Sequence, residues 1–221
     1  MGIEGVTIGQ ATLYCGDCRD MIEDLSFDAI IADPPYGLEK ISPWRHRHTT
    51  RQTDGTWATN PIYTDVDWDS ETPDVTFLLK RNVPVMIFGG NYFAGLPPSR
   101  KWIVWDKGES FYRRSFAEAE LCWCSFDGTT RTIKCIPDSM GIGKPAKVHP
   151  TQKPIDVMRF CILELPKGSG NIICDPYMGS ATTGIAAVSM GRTFIGIEQN
   201  RKYFDIACQR IEQTHQHFSL F

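Results

Sequence analysis

Two short stretches of this chain concentrate the residues that could do chemistry. The first is Asp28-Ala29-Ile30-Ile31-Ala32-Asp33-Pro34-Pro35-Tyr36-Gly37. A buried apolar run delivers an acid at its C-terminal end, and two prolines stiffen the backbone just beyond it. Pro35 bars a helix, which leaves the Pro34 carbonyl free to accept a hydrogen bond. Asp33 and that carbonyl are two fixed acceptors, matching the two N–H bonds of an amino group. Tyr36 adds a flat surface for a planar ring. Standing alone, the stretch also reads as a Pro-Pro turn after an edge strand.

The second stretch is Asp175-Pro176-Tyr177-Met178-Gly179-Ser180-Ala181-Thr182-Thr183-Gly184, between an apolar run and a helical pattern. The Gly-Ser pair lets backbone approach a ligand closely, and the N–H groups of a helix start favour an anionic group. Glu198 ends the next apolar run, where an αβ unit places a carboxylate to accept hydrogen bonds from ribose hydroxyls. G-x-G-x-x-G is absent, and Ile185 follows Gly184 where a phosphate-cradling loop needs Lys. These residues alone leave a nicotinamide nucleotide and adenosylmethionine both open. They also allow a turn that serves only tight packing.

The two stretches make sense together. An exocyclic amine is a poor nucleophile because its lone pair is delocalised into the ring. Two acceptors can hold its N–H bonds out of plane and turn the lone pair toward a methyl sulfonium, with positioning and electrostatics supplying most of the rate. Asp33 or water then takes the proton. A base inside a duplex must be flipped out, or already be single-stranded, to reach such a site.

The elements that must position these residues are legible as alternating apolar runs and helical patterns. Strands are expected at Ala11–Cys15, Ala29–Ala32, Val85–Phe88, Trp102–Trp105, Ala119–Trp123, Ile172–Cys174 and Thr193–Ile197. Several are continuously apolar, as in strands buried on both faces. Helices are expected at Asp20–Leu25, Val75–Arg81, Pro154–Leu165, Thr182–Met190 and Arg201–Gln213. Thr151 can cap the third, with Pro154 in its first turn, and Gly191 can end the fourth. Two long stretches, 37–72 and 126–148, resist assignment, and long loops in compact domains are usually functional or mobile.

At 221 residues the chain suits one well-filled α/β domain. The first ten residues lack a signal-peptide pattern and no run is long and apolar enough for a bilayer, so a cytoplasmic protein without a membrane partner is expected. The net charge of −3 argues against indiscriminate coating of nucleic acid, yet the cations are segregated. Lys40, Arg45, Arg47 and Arg51 fall in one acid-free segment, and Arg131, Lys134, Lys144, Lys147 and Lys153 in another with Asp138 alone. The first segment, with Trp44 and Trp57, reads either as a grip on phosphate and bases or as an exposed loop. Of the eight cysteines, most sit in apolar runs, and Cys122 and Cys124 share one face of a strand. Buried free thiols are expected rather than a zinc site, because paired CxxC spacing is absent.

Taken in order, these motifs resemble the amino-group DNA methyltransferases of the circularly permuted beta group. Asp33-Pro34-Pro35-Tyr36 comes first, then His149-Pro150-Thr151-Gln152-Lys153-Pro154, then Asp175-Pro176-Tyr177-Met178-Gly179-Ser180. Phe194-Ile195-Gly196-Ile197-Glu198 and Tyr203-Phe204 follow, and Gly16-Asp17-Cys18 and Phe88-Gly89-Gly90-Asn91-Tyr92-Phe93 complete a match over nearly the whole chain. The resemblance implies a Rossmann-like α/β fold with a mixed, mostly parallel seven-stranded sheet and helices on both faces. It implies S-adenosylmethionine as cofactor and DNA as partner, with no metal.

The same resemblance makes Asp33, Pro34, Pro35 and Tyr36 the catalytic motif. Asp175, Tyr177, Gly179 and Ser180 then line the cofactor pocket, Glu198 with Gln199 holds the ribose, and Asp17 with Cys18 meets the adenine of the cofactor. His149, Thr151 and Lys153 close over its methionine end. Lys153 reads equally as a solvated charge at a helix start. Ala181 stands where the family has a second glycine, and its methyl group disfavours positive φ. Asn91, Tyr92 and Phe93 shape the floor of the base pocket.

Recognition of DNA would fall to 37–72 and 126–148, through Arg45, Arg47, Arg51, Lys144 and Lys147, on a short or relaxed target. Family members often form homodimers. Asp33 favours adenine N6 over cytosine N4, since cytosine relatives often begin the motif with Ser. RNA and protein-glutamine methyltransferases carry Asn-Pro-Pro-Tyr after the cofactor motif, unlike this chain. A DNA-binding module without catalysis is the reading from another class.

Overall fold

The computed structural model describes residues 4–37, 49–51, 57–59, 71–113, 117–137 and 152–218. Its strands are β1 (Glu4–Ile8), β2 (Ala11–Cys15), β3 (Ala29–Ala32), β4 (Thr49–Arg51), β5 (Trp57–Thr59) and β6 (Val85–Phe88). Further along come β7 (Trp102–Asp106), β8 (Ala119–Cys124), β9 (Arg131–Lys134), β10 (Ile172–Asp175) and β11 (Thr193–Glu198). The helices are α1 (Cys18–Met21), α2 (Ile155–Leu163), α3 (Thr182–Ser189) and α4 (Arg201–Phe218).

Among the described residues one mixed sheet runs β1-β2-β11-β10-β3-β6-β8-β7-β9, and β4 pairs with β5 separately. All seven expected strands are present in it. Two edge strands raise the count from the expected seven to nine. β1 pairs antiparallel with β2 across a turn at Gly9–Gln10, and β9 lies parallel to β7. β9 is mostly polar, and in β1 Val6 and Ile8 alternate with exposed residues, so no continuous apolar run announced either. The stretches left unassigned thus contain structure: β4 and β5 in the first, β9 in the second.

The central strands β2, β11, β10, β3 and β6 are parallel neighbours. Their continuous apolar runs feed two cores. On one face Leu13, Ile31, Met86, Ile173 and Phe194 pack with Val157, Cys161, Ile185, Phe204 and Ile211 from α2, α3 and α4. On the other, Ile30, Ile87, Trp123 and Cys174 meet Ile22, Val75, Leu78 and Phe93. Each such side chain, removed from water, contributes about 1.5–3 kcal/mol of transfer free energy. Cys122 and Cys124 do share a face, and burial pushes the Cys122 thiol well up.

The helices depart from expectation in three places. Thr76–Arg81 is a 3-10 segment rather than an α-helix. Pro84 bars extension beyond Val83, and Asp74 accepts from Thr76 N at 2.8 Å in the turn that leads into the segment. Asp20–Leu25 divides into the end of α1 and a 3-10 turn at Ile22–Asp24. Pro154 is the N-cap residue of α2 rather than part of its first turn, and it caps with no side-chain bond. Thr151 lies outside the described residues. Gly191, at φ 70, follows α3 in the left-handed region as expected. No helix among the described residues is long and apolar enough to cross a membrane.

Register is fixed at the start of β3. The Asp28 carboxylate accepts from the N–H groups of Gly170 at 2.6 Å and of Asn171 and Ile172 at 3.2 Å. It thereby ties the entrance of β3 to that of β10, across 142 residues of chain.

Candidate active site

Four parallel neighbours, β2, β11, β10 and β3, end on one edge of the sheet, and each delivers a residue singled out by sequence. β2 leads into Gly16 and Asp17, β11 ends at Glu198, β10 ends at Asp175, and β3 leads into Asp33. Ligands of open α/β sheets bind outside the carboxyl ends of the strands, and a cavity of about 1150 Å³ lies there. Asp17, Cys18, Asp33, Pro35, Lys153, Asp175, Tyr177, Gly179, Ser180, Glu198 and Gln199 all line it. Motifs separated by more than 140 residues of chain meet because β3 and β10 are adjacent, with Cys174 opposite Ile30.

One half of the cavity is built by backbone held to carboxylates. Glu198 accepts from Gly179 N at 3.0 Å and Asn200 N at 2.8 Å, which fixes the turn after β10 against the end of β11. Burial pushes its carboxyl above the ordinary range. Asp175 is almost wholly buried, accepting from Thr183 Oγ1 at 2.6 Å and Tyr177 N at 3.0 Å. Burial outweighs those two bonds and lifts its pKa to about 7. Arg210 donates to both the carbonyl and the hydroxyl of Ser180, the latter at 2.8 Å. Ala181 takes φ 59, ψ 41 at the start of α3, so the left-handed turn is retained without a glycine.

At the adenine end proposed by resemblance, Asp17 caps α1 and is gripped by Arg19 through several bonds, from 2.5 to 3.1 Å. The Arg19 hydrogen bond holds its carboxyl below the usual range. Cys18 lies beside Tyr177; burial pushes the thiol up to about 11, opposed by its bond to the phenol.

The other half centres on Asp33. Tyr36 Oη donates to Asp33 Oδ1 at 2.8 Å, and Lys153 Nζ donates to Asp33 Oδ2 at 2.6 Å. Lys153 is only 3 % exposed, which overturns its reading as a solvated charge. Its ammonium also reaches Glu120 Oε2 at 3.2 Å and Tyr36 Oη at 3.3 Å. Glu120 Oε1 in turn pairs with Lys107 Nζ at 2.8 Å. The result is a chain of alternating charge, Lys107–Glu120–Lys153–Asp33. Burial pushes Asp33 above the ordinary range and Lys153 draws it back down. Burial likewise opposes ionisation of Glu120, but the Lys153 and Lys107 ammonium groups hold it at about 2.

Tyr36 itself is not a bare plate. Its ring stacks on Tyr92 with centroids 5.2 Å apart and 23° between planes, and meets Phe93 edge-on at 6.2 Å. A Cβ on Gly89 would stand 2.4 Å from the Tyr36 ring, so glycine is needed there for the ring to seat. Tyr36 serves Asp33 through its hydroxyl, and Tyr92, 39 % exposed, carries the open aromatic face. The segment Asn91–Phe93 was expected to shape this floor.

Glu120, Lys107 and Thr183 escaped the sequence reading. Glu120 is the one acid in the apolar run Ala119–Trp123, and a lone charge inside a sheet strand was the available signal. Arg45, Arg47, Lys144, Lys147, His149 and Thr151 lie outside the described residues, as does the side chain of Arg51.

Residues 94–209, just over half of the chain, match the family of N6/N4 DNA methylases, described as "DNA methylase". Type II methyltransferase M2.MboI of Moraxella bovis is 27% identical over 91% of this chain and 87% of its own length. Type II methyltransferase M.HinfI of Haemophilus influenzae is 26% identical over 91% of this chain and 68% of its own. In fold, the M1.HpyAVI–SAM complex superposes with a TM-score of 0.54, at 24% identity over 91% of this chain and 98% of that one. The PvuII DNA methyltransferase (cytosine-N4-specific) gives 0.55, at 15% identity over 96% of this chain and 93% of that one. Motif order, the site at the strand ends and the family match agree, and this chain belongs to the N6/N4 DNA methylase family.

Proposed function

We propose that the protein transfers the methyl group of S-adenosylmethionine to the N6 amino group of adenine in DNA. The observation that carries this reading is that Asp33 and the Asp175–Ser180 turn open into one cavity, with Glu198 at its far side. The residues fit the cofactor: carboxylates for its hydroxyls and amines, the aromatic Tyr177, and a volume of about 1150 Å³ that leaves room for a base beside it. When bound, the cofactor supplies an electrophilic methyl sulfonium.

The chain's own residues do the rest. Asp33 and the Pro34 carbonyl accept the two N–H bonds of the target amine and turn its lone pair toward the methyl group. Tyr36 and Lys153 hold the carboxylate in place while it does so. The stacked pair Tyr36–Tyr92 offers an aromatic face at which an extruded base can rest. Within a single methyltransferase domain, the stretches 37–72 and 126–148 read the DNA, and Arg45, Arg47, Arg51, Lys144 and Lys147 hold its phosphates. Asp33 at the head of the motif supports adenine over cytosine.

The test is radiolabel transfer from S-adenosylmethionine to DNA, followed by mass spectrometry of the nucleosides, with Asp33→Ala alongside. N6-methyldeoxyadenosine from the wild type alone is the expected product. N4-methyldeoxycytidine would reassign the base, and DNA binding without any transfer would make the chain a non-catalytic DNA-binding module.

A further inference from the structure

Glu120 belongs to no motif that the sequence displays, yet it stands 3.5 Å from Tyr36 Oη and 3.2 Å from Lys153 Nζ. β8 delivers it there by running antiparallel to β6, beside the catalytic strand. Stability does not explain its presence. A buried ion pair is often no better than well-packed apolar groups of the same volume, and β8 is otherwise apolar.

The geometry supplies a different reason. Lys153 favours the ionised form of Asp33, but at 2.6 Å its ammonium also occupies Oδ2 while Tyr36 occupies Oδ1, so an incoming amine must share an oxygen already engaged. An ammonium devoted to Asp33 alone would be a competitor for the substrate. A second carboxylate within reach of the same ammonium divides its protons, so Lys153 can lean toward Glu120 while Asp33 accepts the amine. Lys107 neutralises Glu120 from its other oxygen, which prevents Glu120 from taking Lys153 outright.

We infer that Glu120 is a positioning residue for methyl transfer, the alternate partner that shares Lys153 and so leaves an Asp33 oxygen open to the target amine. This rests on the reading of Asp33 as acceptor of that amine.

The experiment compares wild type, Glu120→Gln and Glu120→Asp in single-turnover transfer of labelled methyl to DNA, counted whatever the base. Glu120→Gln keeps the shape and removes the charge. Its rate is expected to fall on the order of 10–100-fold, the scale of a misplaced reacting group. S-adenosylmethionine affinity, measured by calorimetry, should stay within about threefold, or about 0.7 kcal/mol. The acidic limb of the rate–pH profile should move to lower pH by about one pH unit, because Asp33 then holds Lys153 alone. Glu120→Asp should recover part of the rate.

Carboxyl-13C aspartate NMR of the cofactor-free protein, assigned with Asp33→Asn, should show the Asp33 midpoint falling in Glu120→Gln. An unchanged rate with an unmoved limb would overturn the inference. So would a rate loss that merely follows a loss of melting temperature, or an unmoved Asp33 midpoint. If the wild type transfers no methyl at all, the proposed function fails, and the NMR titration still decides the coupling between Glu120 and Asp33.

Discussion

Lys153 Nζ sits 2.6 Å from Asp33 Oδ2 although 120 residues separate them, and the same ammonium is 3.2 Å from Glu120. One buried cation therefore serves two carboxylates, and Asp33 is held from its side rather than exposed alone.

Replacing Lys153 with Met leaves both carboxylates without their shared cation. Breaking a buried pair this way costs about 3–5 kcal/mol, a fall in melting temperature of roughly 10 °C for a chain of this size. One carboxylate takes up a proton in response, so the deficit should be smaller at pH 5 than at pH 8. The double variant Lys153→Met/Glu120→Gln should regain at least part of the loss. Thermal melts at both pH values check this, and a double variant no more stable than the single one would refute it.

Asp175 gives the cofactor-free protein a distinctive stability profile. Its folded pKa of about 7 lies above the ordinary aspartate value of 3.8. Below about pH 4 the acid is protonated in both states; between about 4 and 7 the unfolded chain ionises first. Its contribution to stability is therefore complete at low pH and is lost as pH rises through that window. Asp175→Asn should flatten the pH dependence of urea midpoints there, and an identical slope in wild type and variant would count against the assignment.

Ala181 pays about 1–2 kcal/mol for its left-handed conformation. Glycine would relieve that strain while giving up a buried methyl, about 0.8 kcal/mol, and adding freedom to the unfolded chain. Ala181→Gly should thus change stability by less than about 1 kcal/mol in either direction. Ala186→Gly, equally buried but inside α3, should cost more, about 1–2 kcal/mol. Equal losses in denaturant titrations would show that Ala181 carries no strain.

Gly89→Ala drives a methyl group to within 2.4 Å of the Tyr36 ring at a backbone φ of 67. Overpacking of this kind costs about 1–3 kcal/mol. Displacing the Tyr36 hydroxyl from Asp33 should lower methyl transfer more than tenfold while S-adenosylmethionine affinity holds. Calorimetry and single-turnover transfer on the same preparation separate the two effects.

Much of this was legible before any coordinates. Apolar runs buried on both sheet faces leave little choice of element, so the seven interior strands were readable, and an acid at the end of such a run announces a site. What was not legible follows from long-range pairing. β1 and β9 are edge strands without a continuous apolar run, defined by their neighbours, and the apolar spacing after Val75 does not distinguish a 3-10 segment from an α-helix. Glu120 acquires meaning only when β8 turns antiparallel beside β6. Lys153, read as a cofactor contact or a solvated charge, could not be seen to pair with Asp33 until the sheet order was known.

The alternating row Lys107–Glu120–Lys153–Asp33 holds two cations and two anions, so its charges cancel. Its separations of 2.6 to 3.2 Å lie far inside the roughly 8 Å over which physiological salt screens. Ionic strength therefore reaches the encounter with DNA, where counterions are released, but not the chemical step. Salt should weaken docking steeply while an already bound complex turns over at its original pace.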